Sequence, residues 1–122
     1  MDEIKISSIV TYLETQSDPS IPIFMFSYNI EIENKLNDTV QLISRHWEIT
    51  DGNGTVKTVI GEGVIGLQPQ ILKNDKFSYS SFCPIPTEFG IMDGWYEMKT
   101  EKGISFKAKI PTINLFTPKS KN

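Results

Sequence analysis

The sequence has one cysteine and one histidine in 122 residues, and each scarcity closes off a class of chemistry. With Cys83 alone no intramolecular disulfide can form, which suits a reducing compartment and makes the cytoplasm the expected location. With His46 alone, no second His or Cys stands at ligand spacing, so no metal centre of that kind is expected. A basic excess is missing too: 12 Lys+Arg stand against 15 Asp+Glu, a formal net charge of -3. A nucleic-acid surface needs a basic stripe to displace counterions, and the two lysines of the Lys119–Asn122 end are too few to make one. No nucleic-acid partner is expected. No apolar run approaches the ~20 residues of a membrane span, and Met1-Asp2-Glu3 puts acid where a secretory leader carries positive charge. The chain is therefore expected neither to insert into a membrane nor to be exported.

Helical periodicity is also scarce. No segment repeats apolar residues at i, i+3, i+4 and i+7, whereas alternation at period two is plain. Phe24, Phe26, Tyr28, Ile30 and Ile32 alternate with Met25, Ser27, Asn29, Glu31 and Glu33. Ile104, Phe106, Ala108 and Ile110 alternate with Ser105, Lys107 and Lys109. Each pattern predicts a strand with one buried face. Further strands are expected over Ile4–Tyr12, Val40–Thr50, Val56–Ile60, Phe77–Phe82 and Trp95–Thr100. The Asp51-Gly52-Asn53-Gly54 run supplies a tight hairpin turn between two of them, and Glu101-Lys102-Gly103 another. About seven short antiparallel strands in a chain of this length predict an all-β, immunoglobulin-like or fibronectin type III-like β-sandwich, with a small barrel as the alternative. One domain over residues 1–118 and a flexible C-terminal tail over 119–122 complete the expected organisation.

In the strand beginning at Val40 the apolar residues change parity, from Val40 and Leu42 to Ile43, Trp47 and Ile49. A bulge near Leu42 accounts for the change. If Trp47 faces inward so does Arg45, and a buried guanidinium requires a carboxylate or carbonyl partner.

Gly61-Glu62-Gly63-Val64-Ile65-Gly66 has the G-x-G-x-x-G spacing of dinucleotide-binding loops. That motif works at the N-terminus of a helix, and here Pro69 follows too soon for a helix to form. The glycines instead predict a bulge or sharp bend where the chain passes from one sheet to the other. A backbone nest there could still hold an anion, so Gly61, Gly63 and Gly66 are candidate binding residues for a phosphate-containing small ligand, with Lys57 or Lys73 supplying charge.

His46 shares parity with Ser44 and Glu48 and reads as a surface or hydrogen-bonding residue. Cys83, before Pro84 and without a neighbouring cation, reads as a packing residue. Asp51, Asp75, Glu88 and Asp93 are expected in loops, Asp51 and Asp93 as turn formers ahead of glycine. These positions compose neither a nucleophile–base pair nor a set of metal ligands, and no cofactor is expected. Trp47, Tyr96 and Phe82 are expected in the core. Trp95, of opposite parity to Tyr96 and Met98, and Phe89, expected in a loop, are the candidates for an exposed partner-binding pair.

The series Gln41-Leu42, Arg45-His46-Trp47, Asp51-Gly52, Gly61 to Gly66, Gln68-Pro69, Phe77-Tyr79-Ser80-Ser81, Gly90, Met92-Gly94, Tyr96-Met98 and Ile110-Pro111 resembles the ApaG family, in order and in spacing, from about Tyr28 to Leu115. The resemblance implies a fibronectin type III-like or immunoglobulin-like sandwich. It further implies a bacterial stand-alone protein associated with cobalt resistance and magnesium efflux. Eukaryotic relatives of that family carry the domain beside an F-box or in a polymerase-interacting protein, a setting of protein recognition. No catalytic residue set comes with it. The expected function is a non-catalytic binding module for a protein partner, and the alternative is a small-ligand sensor for phosphate or pyrophosphate at Gly61–Gly66. Direct binding of Mg²⁺ or Co²⁺ is the least favoured reading, since Co²⁺ prefers imidazole and thiolate donors.

Overall fold

Alternation of apolar and polar residues becomes eight strands in a computed structural model that describes residues 3–120. They are β1 (Ile4–Tyr12), β2 (Phe24–Asn34), β3 (Val40–Asp51), β4 (Val56–Glu62), β5 (Gln70–Ile71), β6 (Lys76–Ile85), β7 (Phe89–Thr100) and β8 (Ser105–Phe116). A 3-10 turn over Glu14–Gln16 is the remaining element. Met1 and Asp2 of the acidic N-terminus, and Lys121 and Asn122 of the expected tail, lie outside the described residues.

The strands form two antiparallel sheets, one of order β1-β2-β6 and one of order β4-β3-β7-β8, in which β5 also pairs with β3. They pack face to face as an antiparallel β-sandwich, and the buried apolar residues of both form a single cluster. In β2 every second residue from Phe24 to Asn34 is buried, as the alternation requires. Tyr28, Ile30 and Ile32 of one sheet join Trp47, Tyr96, Met98 and Ile110 of the other in that cluster. Asn34 ends the buried row fully covered, and its amide is satisfied: Nδ2 donates to the carbonyls of Asp38 and Ile71, and Oδ1 accepts from Leu36 N.

The parity change in β3 is a bulge, with the register against β7 shifting between Leu42 and Ser44. It turns Trp47 inward to 2% exposure, where its ring meets Tyr28 and Tyr96 edge-on.

Phe82 faces solvent at 62% exposure, because the Tyr79 and Cys83 parity takes the core face of β6. Phe89 opens β7 rather than sitting in a loop, and Asp93-Gly94 is a mid-strand irregularity against β8 rather than a turn. The glycine segment does not carry the chain between sheets: β4 before it and β5 after it both pair with β3. The crossing falls later, between Ile71 and Lys76.

Candidate functional site

The outer face of the five-stranded sheet is built from residues whose neighbours turn inward. Along β7, Gly90, Met92, Gly94, Tyr96 and Met98 are buried, which leaves Phe89, Ile91, Asp93 and Trp95 on the solvent side. Cross-strand pairing lays these out in rows. Phe89 pairs with Phe116, and Ile91 lies between Thr50 and Asn114, with Val56 beyond Thr50. Next comes a row of Thr58, Glu48 and Asp93, then one of Ile60, His46, Trp95 and Lys109. Phe89 is 54% exposed and Phe116 39%.

Trp95 is half-buried because its neighbours enclose it. The His46 ring stacks on it with centroids 3.8 Å apart and planes 9° from parallel, and Lys107 Nζ stands 4.8 Å from its centroid. A cation over an indole face contributes about 0.5–1 kcal/mol at an exposed site. His46 Nε2 is also 3.3 Å from Glu48 Oε2, which fixes the ring against the sheet. Beside Trp95 lies a shallow depression of about 430 Å³, lined by Glu48, Asp93, Lys107, Lys109 and Thr112. Thr112 donates a hydrogen bond to Asp93 there. Phe89 and Trp95 thus share one face but lie at its two ends, about 20 Å apart at the rise of an antiparallel strand.

The glycine segment is organised around Arg45 and the β3 bulge. Arg45 lies on the inward parity and its Nη1 donates to the carbonyls of Glu62 at 3.2 Å and Gly63 at 2.9 Å, the partners a guanidinium needs there. Its guanidinium covers Gly61, where a Cβ would fall 2.7 Å from Nη2. Gly63 has φ +60 and donates its N–H to the carbonyl of Ile43 in the bulge, which also accepts from Gln68 Nε2. Val64 and Leu67 exchange both main-chain hydrogen bonds, at 2.8 and 2.9 Å. The turn they close holds Ile65 at φ 45 and Gly66 at φ 78, the two positive values of a type I′ turn. Ile65 is unusual there, since a β-branched residue resists positive φ. Lys57 lies on β4 and Lys73 in the turn after β5.

Inside the sandwich, the Tyr79 and Tyr96 hydroxyls meet at 2.5 Å, and burial first of all holds both phenols above their usual value. Burial likewise raises Tyr28, against the opposing hydrogen bond from Ser81. Burial pushes the Cys83 thiol up to about 11, offset in part by the charge of Lys57. That thiol is protonated at neutral pH and buried, which suits packing rather than nucleophilic attack. Of the carboxylates, Asp51 caps its turn by accepting from Asn53 N and Thr55 N. Among the described residues, no three His, Cys, Asp or Glu side chains converge where they could hold a metal ion. No helix among them is long and apolar enough to cross a membrane.

A family model described as the ApaG domain matches residues 14–100. The chain belongs to the ApaG family. Protein ApaG of Brucella abortus is 44% identical over 110 residues, covering 90% of this chain and 85% of the relative. Protein ApaG of Methylobacterium nodulans is 47% identical over 115 residues, covering 93% and 88%. A crystal structure described as an ApaA protein from Bordetella pertussis superposes with a TM-score of 0.91 at 41% identity, covering 94% of each chain. A β-glucuronidase of Bacteroides uniformis matches at TM-score 0.53 and 15% identity, over 13% of its own length, and shares the fold alone.

Within this ApaG fold, sequence reading found Trp95 and Phe89 but missed Phe116, Ile91, Val56 and Ile60 beside them. Strand alternation alone marks Ile91 as outward once β7 is known to start at Phe89. Phe116 needed the pairing of β7 with β8, which no local pattern encodes.

Proposed function

We propose that this ApaG-family chain is a non-catalytic, cytoplasmic binding module that recognises a protein through the outer face of its five-stranded sheet. The observation that carries this reading is the set of apolar side chains on that face: Phe89, Phe116, Val56 and Ile60 are exposed, and Ile91 and Trp95 are half-buried. Two apolar groups, Phe89 with Phe116, Ile91 and Val56 at one end and Trp95 with Ile60 at the other, flank a polar row of Thr58, Glu48 and Asp93, and exposed aromatic residues of this kind are enriched among the anchors of recognition surfaces. The association of the resembled family with cobalt resistance and magnesium efflux fits an indirect role, in which an efflux protein rather than a metal ion is bound.

The test is capture of partner from extracts of cells that express the protein. Wild type is compared with the Phe89→Ser/Trp95→Ser double variant, once an unchanged unfolding transition shows that the variant is folded. Loss of the captured partner is expected. Capture at wild-type level rejects this surface.

A second reading has one observation in its favour. Ile65 is held at positive φ in an exposed turn two residues after Gly63, whose carbonyl Arg45 holds, and strained backbone clusters at ligand sites. In this reading Gly61, Gly63 and Gly66 frame a site for phosphate or pyrophosphate. Main-chain N–H groups already used by Ile43 and Leu67 argue for the first reading over this one.

A further inference from the structure

The five-stranded sheet ends on β4, and the chemistry of that edge differs from the other outer strands. An open strand edge is normally blunted by proline, lysine, a bulge or a covering segment. β6 carries Pro84 and Lys76. β8 carries Lys107, Lys109 and Pro111 beside its irregular pairing with β7, and β1 packs alongside it. β4 reads Val-Lys-Thr-Val-Ile-Gly-Glu, without proline or bulge; its one lysine, Lys57, shares the parity of Val59, which faces the core side opposite Trp47, so the outward row of Val56, Thr58 and Ile60 is uncharged up to Glu62.

The direction of its free hydrogen-bonding groups follows from its two ends. Thr55 O accepts from Asp51 N, and Gly63 N donates to Ile43 O. Odd-numbered residues of β4 therefore turn their main chain toward β3, and Val56, Thr58 and Ile60 turn theirs to the open edge. The same three residues project on the outer face, where Val56 is 56% and Ile60 69% exposed.

We propose that β4 pairs antiparallel with β4 of a second copy of this chain, about a two-fold axis at Thr58, joining two five-stranded sheets into one. This register is self-complementary. Thr58 meets Thr58, Val56 meets Ile60 on each side of it, and Glu62 meets Gly54, so no like charges oppose. Every edge-facing N–H and C=O of Val56, Thr58 and Ile60 finds its counterpart. Moving the axis to Ile60 would instead set Thr58 against Glu62 and leave Val56 beyond the end of the partner strand. Two-fold self-complementarity favours a second copy over a peptide of another protein. Because one strand pair with its side chains is a small interface, the dimer is weak. It does not depend on recognition through Phe89 and Trp95.

Sedimentation velocity over a wide concentration range tests it. Wild type is expected to pass from monomer to dimer as concentration rises. The Val56→Lys/Ile60→Lys variant, which sets lysines across the axis, is expected to associate at least tenfold more weakly. Thr58→Pro removes an N–H that faces away from β3, and is expected to do the same. Ile9→Lys, on the outer face of the other sheet, is expected to dimerise as wild type does. Hydrogen exchange gives a second readout: the Thr58 and Ile60 amides are expected to slow with concentration. A wild type monomeric at every concentration overturns the proposal and leaves the edge to a strand of another protein. A dimer that survives Val56→Lys/Ile60→Lys, or amides at Thr58 and Ile60 indifferent to concentration, overturns it as well.

Discussion

The Tyr79 hydroxyl on β6 and the Tyr96 hydroxyl on β7 meet at 2.5 Å in the core, a polar bond that spans the two sheets. Truncating either phenol strands the other without a partner in an apolar surround, at a cost of about 1–3 kcal/mol. Tyr79→Phe and Tyr96→Phe are each expected to lower the urea midpoint by that measure, and the double variant by clearly less than their sum. Additive losses in such a cycle would mean that the two hydroxyls are satisfied separately.

Gly63 and Gly66 share positive φ but not surroundings, which separates backbone strain from collision. A Cβ at Gly63 would run into the Leu67 carbonyl, whereas one at Gly66 would meet open space. Gly66→Ala is expected to cost about 1–2 kcal/mol for the left-handed conformation alone. Gly63→Ala is expected to cost more than about 4 kcal/mol or to prevent folding, because the turn closed by Val64 and Leu67 cannot form around it. Gly61→Ala should fall between them, since the Arg45 side chain it displaces can move while a carbonyl cannot. Urea titration of the three variants checks the order, and equal losses would contradict it.

Alkaline pH should loosen the fold. The Cys83 thiol titrates near 9 when unfolded and near 11 when folded. Its protonated form therefore contributes stability that is complete below pH 9 and is lost as pH rises through 11. Tyr28, Tyr79 and Tyr96, all raised by burial, extend the loss above pH 10. Across that interval the thiol accounts for about 2–3 kcal/mol of the fall, since a tenfold change in proton affinity is worth about 1.4 kcal/mol. Unfolding free energy measured from pH 8 to 11 is expected to decline, and Cys83→Ala to flatten the part between pH 9 and 10. A curve level to pH 11 would contradict the burial of these groups.

Much of this was legible in the residues, for reasons that also explain the misses. Phe24 to Ile32 and Phe106 to Ile110 give strands away because one face is buried and the other wet. The inward parity of Arg45 followed from Trp47, and so did its need for a carboxylate or carbonyl partner, which the carbonyls of Glu62 and Gly63 supply. β5 escaped notice because two residues carry no period. The start of β7 escaped because Gly90 and Asp93-Gly94 look like turn residues, while in the fold the Asp93 irregularity is absorbed by the pairing with β8. On the outer face, Trp95 was visible through its parity. Its enclosure by His46 and Lys107 was not, because those residues come from β3 and β8 and meet only across the sheet.

If the chain acts through its outer sheet face while the glycine segment serves the fold, amide chemical shifts of labelled protein will report the difference residue by residue. Pyrophosphate, ATP, Mg²⁺ and Co²⁺ added in turn are expected to leave Gly61 to Gly66 unmoved, since Gly63 and Val64 donate to Ile43 and Leu67 and Arg45 is engaged with Glu62 and Gly63. Saturable shifts centred on Gly61 to Gly66 would contradict that division of roles and make the chain a phosphate-ligand protein.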